Sequence, residues 1–233
     1  MTAKQIFISW DIDGTLILGK DATKFHLEAF HLACEELFGK CDTPEVFLGH
    51  SIDGMMDSSI LSEMITKLGH QPTEETLKKT QEKMEDIFIQ NCTAIPEVPN
   101  GVVETLEQLV KYPNITMAIA SGNYPRIAWR KLELCGIAKY FPDRLGGLGV
   151  IRERKDAVSL ARKLAEEKKG HKFDIYMHIG DTPSDILAAQ AAGSIPFGVR
   201  TGRVNYPEYP TPSYIHNNLI EGHDELFRLL GLE

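Results

Sequence analysis

The chain has little that would tie it to a membrane, an oxidising compartment or nucleic acid. No run approaches the roughly 20 consecutive apolar residues that a membrane-spanning helix needs. Lys4 is followed by only a short apolar run and then by acids, so no secretory leader is expected. Cysteine is sparse. Cys34, Cys41, Cys92 and Cys135 make no CxxC pair and no zinc-ligand spacing. They read as buried thiols of a reducing compartment, with a Cys34–Cys41 disulfide as the alternative, and the cytoplasm is the expected location. Basic residues are outnumbered, 25 Lys and Arg against 33 Asp and Glu, for a net charge of −8. They are also scattered, which argues against a nucleic-acid partner. An anionic small molecule stays open as a substrate, because a local cation overrides the overall sign. There is no internal repeat and no low-complexity segment.

What is present is a chain of 233 residues, 42% apolar and 25% charged, long enough for one large domain or a domain with an insertion. Residues 5–10 read as a buried strand. Apolar positions at helical spacing mark helices over 22–38 and 53–68, and Thr73 is a plausible N-cap for a third, with Leu77, Met84, Ile87 and Phe88 on one face. From about residue 95 the pattern changes to alternating helices and strands. Helices are expected at 101–111, 125–135, 154–168, 183–192 and 221–231. Strands are expected at 115–120, 174–179 and 195–199, with a weak one near 143–147. Alternation of this kind implies βαβ units. The expected fold is α/β: a Rossmann-like parallel sheet with helices on both faces, formed by 1–18 and 95–233, plus an inserted all-α subdomain over 19–94. The crossings near 17–20 and 93–99 would be its hinge.

In open α/β sheets ligands sit beyond the carboxyl ends of the strands. The first strand runs into Asp11-Ile12-Asp13-Gly14-Thr15, and alternate residues of an extended segment point the same way. Two crowded carboxylates repel, and a cation would relieve them. One could attack while the other, kept protonated, donates a proton. After 115–120 come Ser121-Gly122-Asn123; after 174–179 come Gly180-Asp181-Thr182-Pro183-Ser184-Asp185; Arg154 and Lys155 stand at a helix start between them. A carboxylate nucleophile, a hydroxyl with backbone N–H groups, a cation and further acids together suit phosphoryl transfer. Hard oxygen ligands suit Mg²⁺.

In order and spacing these motifs resemble those of the haloacid dehalogenase superfamily, most closely its phosphoglycolate phosphatase-like members with a helical cap after the first strand. The resemblance covers nearly the whole chain. It implies that Asp11 is nucleophile and metal ligand. Asp13 would be the general acid/base, with its backbone carbonyl on the metal. Asp181 would be a second side-chain ligand, and Asp185 a ligand directly or through water. Ser121 and Gly122 would hold the phosphate. The family's third motif wants a cation opening a helix, and here Arg152-Glu153-Arg154-Lys155 offers two. Lys155 is favoured over Arg154 as the catalytic, phosphate-binding cation. The implied activity is Mg²⁺-dependent hydrolysis of a small phosphorylated metabolite through a phospho-aspartate. A phosphomutase of the same fold and a non-catalytic binding protein are the alternatives.

Several polar residues have plainer readings. Asp53 reads as an N-cap, Trp10 as core packing, and His50 as a surface loop residue. Asn123 and Arg126 read as solvated helix-start residues. Thr182-Pro183 reads as a helix cap that is compatible with metal binding at Asp181.

Overall fold

The computed structural model describes residues 3–232. Six parallel strands form one sheet: β1 (Ile6–Trp10), β2 (Ile115–Ala120), β3 (Gly146–Gly147), β4 (Ile175–Gly180), β5 (Ile195–Val199) and β6 (Tyr214–His216). Their order is β3-β2-β1-β4-β5-β6. β1 therefore sits inside, paired from Trp10 to Ile119 on one side and to Ile179 on the other. The order reverses direction at β1, and the crevice this leaves lies beyond the ends of β1 and β4.

β1 is buried along its whole length, as a strand with helices on both faces must be. Its even residues, Ile6, Ile8 and Trp10, enter one apolar cluster with Ile119, Met177 and Ile179. On the opposite face Phe7 packs with Ala118, Val158 and Phe173. The indole of Trp10 is wholly buried, which agrees with its reading as core.

In sequence, four helices separate β1 from β2: α1 (Lys20–Phe38), α2 (Pro44–Leu48), α3 (Asp57–Lys67) and α4 (Glu74–Asn91). They share a separate apolar cluster built on Phe30, Leu61, Met64, Met84 and Phe88. Burying each of these side chains contributes about 1.5–3 kcal/mol, which is what gathers the helices together. Thr73 caps α4 by accepting from the Thr76 N–H at 3.2 Å. The crossings at either end of this insertion are tied to one another, with the Leu18 N–H donating to the Glu97 carbonyl at 2.6 Å.

The remaining helices, α5 (Val102–Leu109), α6 (Pro125–Leu134), α7 (Arg154–Lys169), α8 (Pro183–Ala191) and α9 (His223–Leu230), surround the sheet. A short 3-10 turn at Ala138–Tyr140, helix α2 and strand β6 are elements the sequence pattern does not announce. All four cysteines are free thiols. Among the described residues no helix is long and apolar enough to cross a membrane.

Candidate active site

Asp11 follows the last residue of β1, and its backbone N–H donates to the Ile179 carbonyl of β4 at 2.9 Å. The first acid is thereby held beside the end of the strand that delivers Asp181. Oxygens of Asp11, Asp181 and Asp185, all three buried, lie within 4.8 Å of one another. Gly14 makes the close approach feasible. It turns the chain at φ +89°, and a Cβ there would stand 2.4 Å from Asp181 Oδ2. Gly202 closes the other side, where a Cβ would fall 1.8 Å from the same oxygen. Thr15 Oγ1 donates to Asp181 Oδ1 at 3.3 Å, and Tyr209 donates to its carbonyl at 2.7 Å.

This crowding has electrostatic consequences. Burial first, and then the neighbouring acids Asp185 and Asp13, push Asp11 up to about 6 against the pull of Arg154. Burial, Asp185 and Asp11 also raise Asp181 well above the usual carboxylate range. Asp185 goes the other way: burial works to raise it, but Arg154, His178 and Thr182 hold it far below. Both of its oxygens are engaged, Oδ1 by Arg154 and His178 Nε2 and Oδ2 by the N–H and hydroxyl of Thr182. That last pair completes a capping box with the Asp185 N–H at the start of α8, so the cap reading of Thr182-Pro183 holds.

The cation beside Asp11 is Arg154. Its Nη1 lies 3.2 Å from Asp11 Oδ1 and pairs with Asp185, and the side chain is 10% exposed. Lys155 is exposed and takes no part in the cavity wall, which corrects its assignment to the site. The reason is helical register. α7 opens at Arg154, and consecutive helical residues project about 100° apart, so only one of the two faces the acids.

Ser121 and Gly122 stand at the end of β2 in the same cavity, with Ser121 buried. Asn123 departs from expectation. It is buried, not solvated, and its Nδ2 donates to Asp13 Oδ2 at 2.7 Å and to Ser121 Oγ at 2.9 Å. Asp13 departs as well. Burial would raise it, but the Lys131 ammonium and the hydrogen bonds from Lys131 and Asn123 bring it below the usual range, so the carboxyl is held ionised here, not protonated. Lys131, on α6, is wholly buried, with Nζ 2.9 and 2.8 Å from the two Asp13 oxygens. Sequence reasoning passed over it. The available signal was a lysine four residues after Ile127, on the face of α6 that also buries Ala128 and Leu132.

The insertion closes the other side. A cavity of about 1050 Å³ runs between these residues and His26, Phe30, Ile52, Asp53 and Ile60. α3 docks directly on the catalytic side: its Asp57 N–H donates to the Gly122 carbonyl at 2.9 Å, and its Ser58 N–H to the Gly149 carbonyl at 3.1 Å. Asp53 is no N-cap, since Met56 holds that position for α3. It pairs instead with Arg203 at 2.6 Å, and Arg203 also reaches Glu45 of α2. His50 is exposed, between Ser51 and Glu63. Arg126 pairs with Asp86 of α4 at 2.6 Å.

The donor set fits a hard divalent cation. Asp11 Oδ1 is buried without a hydrogen-bond partner, and two carboxylates pushed up first by burial and then by neighbouring acids offer oxygens alone.

A family model of haloacid dehalogenase-like hydrolases matches residues 8–193. A curated phosphoglycolate phosphatase from Vibrio parahaemolyticus is 29% identical over 228 residues, covering 95% of this chain and 96% of that protein. Among solved structures, a predicted phosphatase from Clostridium acetobutylicum has a TM-score of 0.69 at 19% identity, covering 97% of this chain and 100% of its own. CbbY from Rhodobacter sphaeroides, in complex with phosphate, has a TM-score of 0.69 at 15% identity, covering 94% and 96%. At those identities the two structures show a shared fold. The family model spans well over half of the sequence, and the chain therefore belongs to the haloacid dehalogenase-like hydrolases.

Proposed function

We propose that the protein is a Mg²⁺-dependent phosphatase that hydrolyses a small phosphate monoester through a phospho-aspartate, with residues 19–94 acting as a cap over the site. The observation that carries this reading is the convergence of Asp11, Asp181 and Asp185 within 4.8 Å, beside Ser121 and Arg154, at the carboxyl end of the sheet. Asp11, the backbone carbonyl of Asp13 and Asp181 would hold the ion, with Asp185, its oxygens already engaged, acting through water. When bound, Mg²⁺ supplies positive charge for the phosphate oxygens and relieves the repulsion among the acids.

This chain's own residues then divide the work. Arg154 and the Ser121 hydroxyl hold phosphate oxygens. An Asp11 oxygen forms a bond to phosphorus as the bond to the leaving oxygen breaks; Asp13, ionised at rest, takes up one proton from solvent as the anionic ester binds and passes it to that oxygen. Water then attacks phosphorus and gives its proton to Asp13. The bond to Asp11 breaks, and inorganic phosphate leaves with both acids restored. The Asp13 side chain is 30% exposed, so it can meet both the leaving oxygen and the water from the cavity side. The insertion keeps bulk water out of the cavity. The Vibrio relative is a phosphoglycolate phosphatase, which makes phosphoglycolate the first ester to assay.

The test is hydrolysis of p-nitrophenyl phosphate and phosphoglycolate with Mg²⁺, with EDTA, and by Asp11→Asn. Turnover is expected only in the first condition, with radiolabelled phosphate trapped on the wild-type chain and not on the variant. Binding without turnover in every condition would favour a binding protein. Transfer of the phosphoryl group within a sugar phosphate, without release, would favour a mutase.

A further inference from the structure

Lys131 is a fully buried lysine in a cavity wall, and all three of its donors are used. One serves the Asp13 carboxylate, at 2.8 and 2.9 Å to its two oxygens. Another goes to Asn123 Oδ1 at 2.6 Å, and the third to His26 Nδ1 at 3.2 Å. His26 belongs to α1 of the insertion. With Nδ1 accepting from Lys131, its Nε2 carries the proton and donates to Asp57 Oδ2 at 3.0 Å. The same Asp57 oxygen accepts the Tyr124 N–H, at the start of α6, at 2.7 Å. The ring of His26 is fixed by stacking on Phe30, centroids 5.3 Å apart, and by an edge contact with Phe88 at 6.0 Å. The chain of bonds runs from the catalytic acid through the core helix into two insertion helices and back to the core.

Resting on the phosphatase reading, we propose that Lys131 is a positioning residue: it fixes the orientation of the Asp13 carboxylate, and His26 completes its coordination only while α1 is docked. The geometry explains why both partners are needed. Asn123 and Lys131 grip Asp13 from within, leaving its open edge toward the cavity. Without His26, one Lys131 donor would be buried and unpaired, which such a group escapes by moving. Proton transfer in either half-reaction needs the Asp13 oxygen within hydrogen-bond reach of the moving proton.

The experiment is a double-mutant cycle with Lys131→Met and Asp13→Asn, read with p-nitrophenyl phosphate and an alkyl phosphate in Mg²⁺, beside thermal melting. If Lys131 works through Asp13, Lys131→Met alone should lower kcat by on the order of 100-fold, with KM within about threefold. In the Asp13→Asn background the same change should cost less than about threefold, because the group it positions is gone. The double variant should also melt higher than Lys131→Met alone, since no half-buried carboxylate without its cation remains. Equal losses in both backgrounds, or an undiminished kcat in the single variant, would overturn the proposal. Should Lys131→Met not fold, His26→Phe enters the same cycle under the same criteria, with a loss of roughly tenfold expected in the Asp13 background alone. A wild-type protein inactive on both esters would instead overturn the phosphatase reading, and this assignment with it.

Discussion

Replacing Arg154 and Lys155 one at a time separates two neighbouring cations that the sequence does not. Arg154→Met keeps the aliphatic bulk but removes the guanidinium from between Asp11 and Asp185, whose side chains are 4% and 0% exposed. Three buried acids are then left within 4.8 Å of one another with no cation among them. Breaking a buried pair in this way costs about 3–5 kcal/mol, which in a chain of this size is a fall in melting temperature of roughly 6–20 °C. The acids soften the loss by taking up protons. Asp11 stands at about 6 even with Arg154 pulling it down, so in the variant it takes up its proton at higher pH, and its share of the deficit should shrink as pH falls toward 6 and level off below. Mg²⁺ should also restore part of the melting temperature, and more in the variant than in the wild type, because it replaces the missing charge. Loss of one charge-stabilising donor costs roughly 100- to 1000-fold in kcat. Lys155→Met, at an exposed position, should move stability by no more than about 0.5 kcal/mol and leave turnover within twofold. Differential scanning calorimetry at several pH values, with and without Mg²⁺, gives the first set of numbers, and steady-state hydrolysis gives the second. Comparable losses in the two variants would refute the register argument.

Gly202→Ala should spare the fold but lower Mg²⁺ affinity tenfold or more in a calorimetric titration, because the new methyl would stand where Asp181 Oδ2 now lies; unchanged affinity would show that the carboxylate has room to swing aside. Glu85, buried on α4 and accepting the Arg126 N–H at 2.8 Å, is raised above its ordinary 4.5, first by burial. The folded state therefore holds its proton more tightly than the unfolded chain, and ionisation costs stability once pH climbs past 4.5. Glu85→Gln should accordingly raise the melting temperature at pH 7, with the gain fading below about pH 4; a gain independent of pH would point to packing instead.

The sheet and the acids were legible because each leaves a distinct trace. β1, β2, β4 and β5 are short apolar runs that break at once into acids, hydroxyls and glycines, and two buried strand faces require such runs. β6 left no trace: Tyr214, Ile215 and His216 form a three-residue edge strand in half-buried surroundings, too short for a period. α2 is five residues behind Pro44 and equally silent. Arg154 and Lys155 were inseparable because a helix start has to be placed to the residue before its register means anything. Asn123 read as a solvated helix-start residue because the groups it bonds, Lys131 and Asp13, meet it only in the folded chain. Lys131 shows the same limit in sharper form. Two of its three partners, Asp13 and His26, lie 118 and 105 residues away in sequence, so its value to the site exists only after folding.

The bridge between Leu18 and Glu97 brings the two ends of the insertion to a single paired point on the catalytic body. Such a junction lets the helical segment leave and rejoin the sheet at one place, although its apolar cluster also takes in Tyr124 and Ile127 at the start of α6. Transplantation has chemical conditions along the contact face, the strictest of them at the buried lysine. Whatever is grafted there must present an acceptor where His26 now stands and an anion where Asp57 stands, or the lysine beneath is stranded. Replacement of the helical segment would thus be constrained where α1, α3 and α4 meet the sheet-bearing part of the chain and free on the faces turned to solvent.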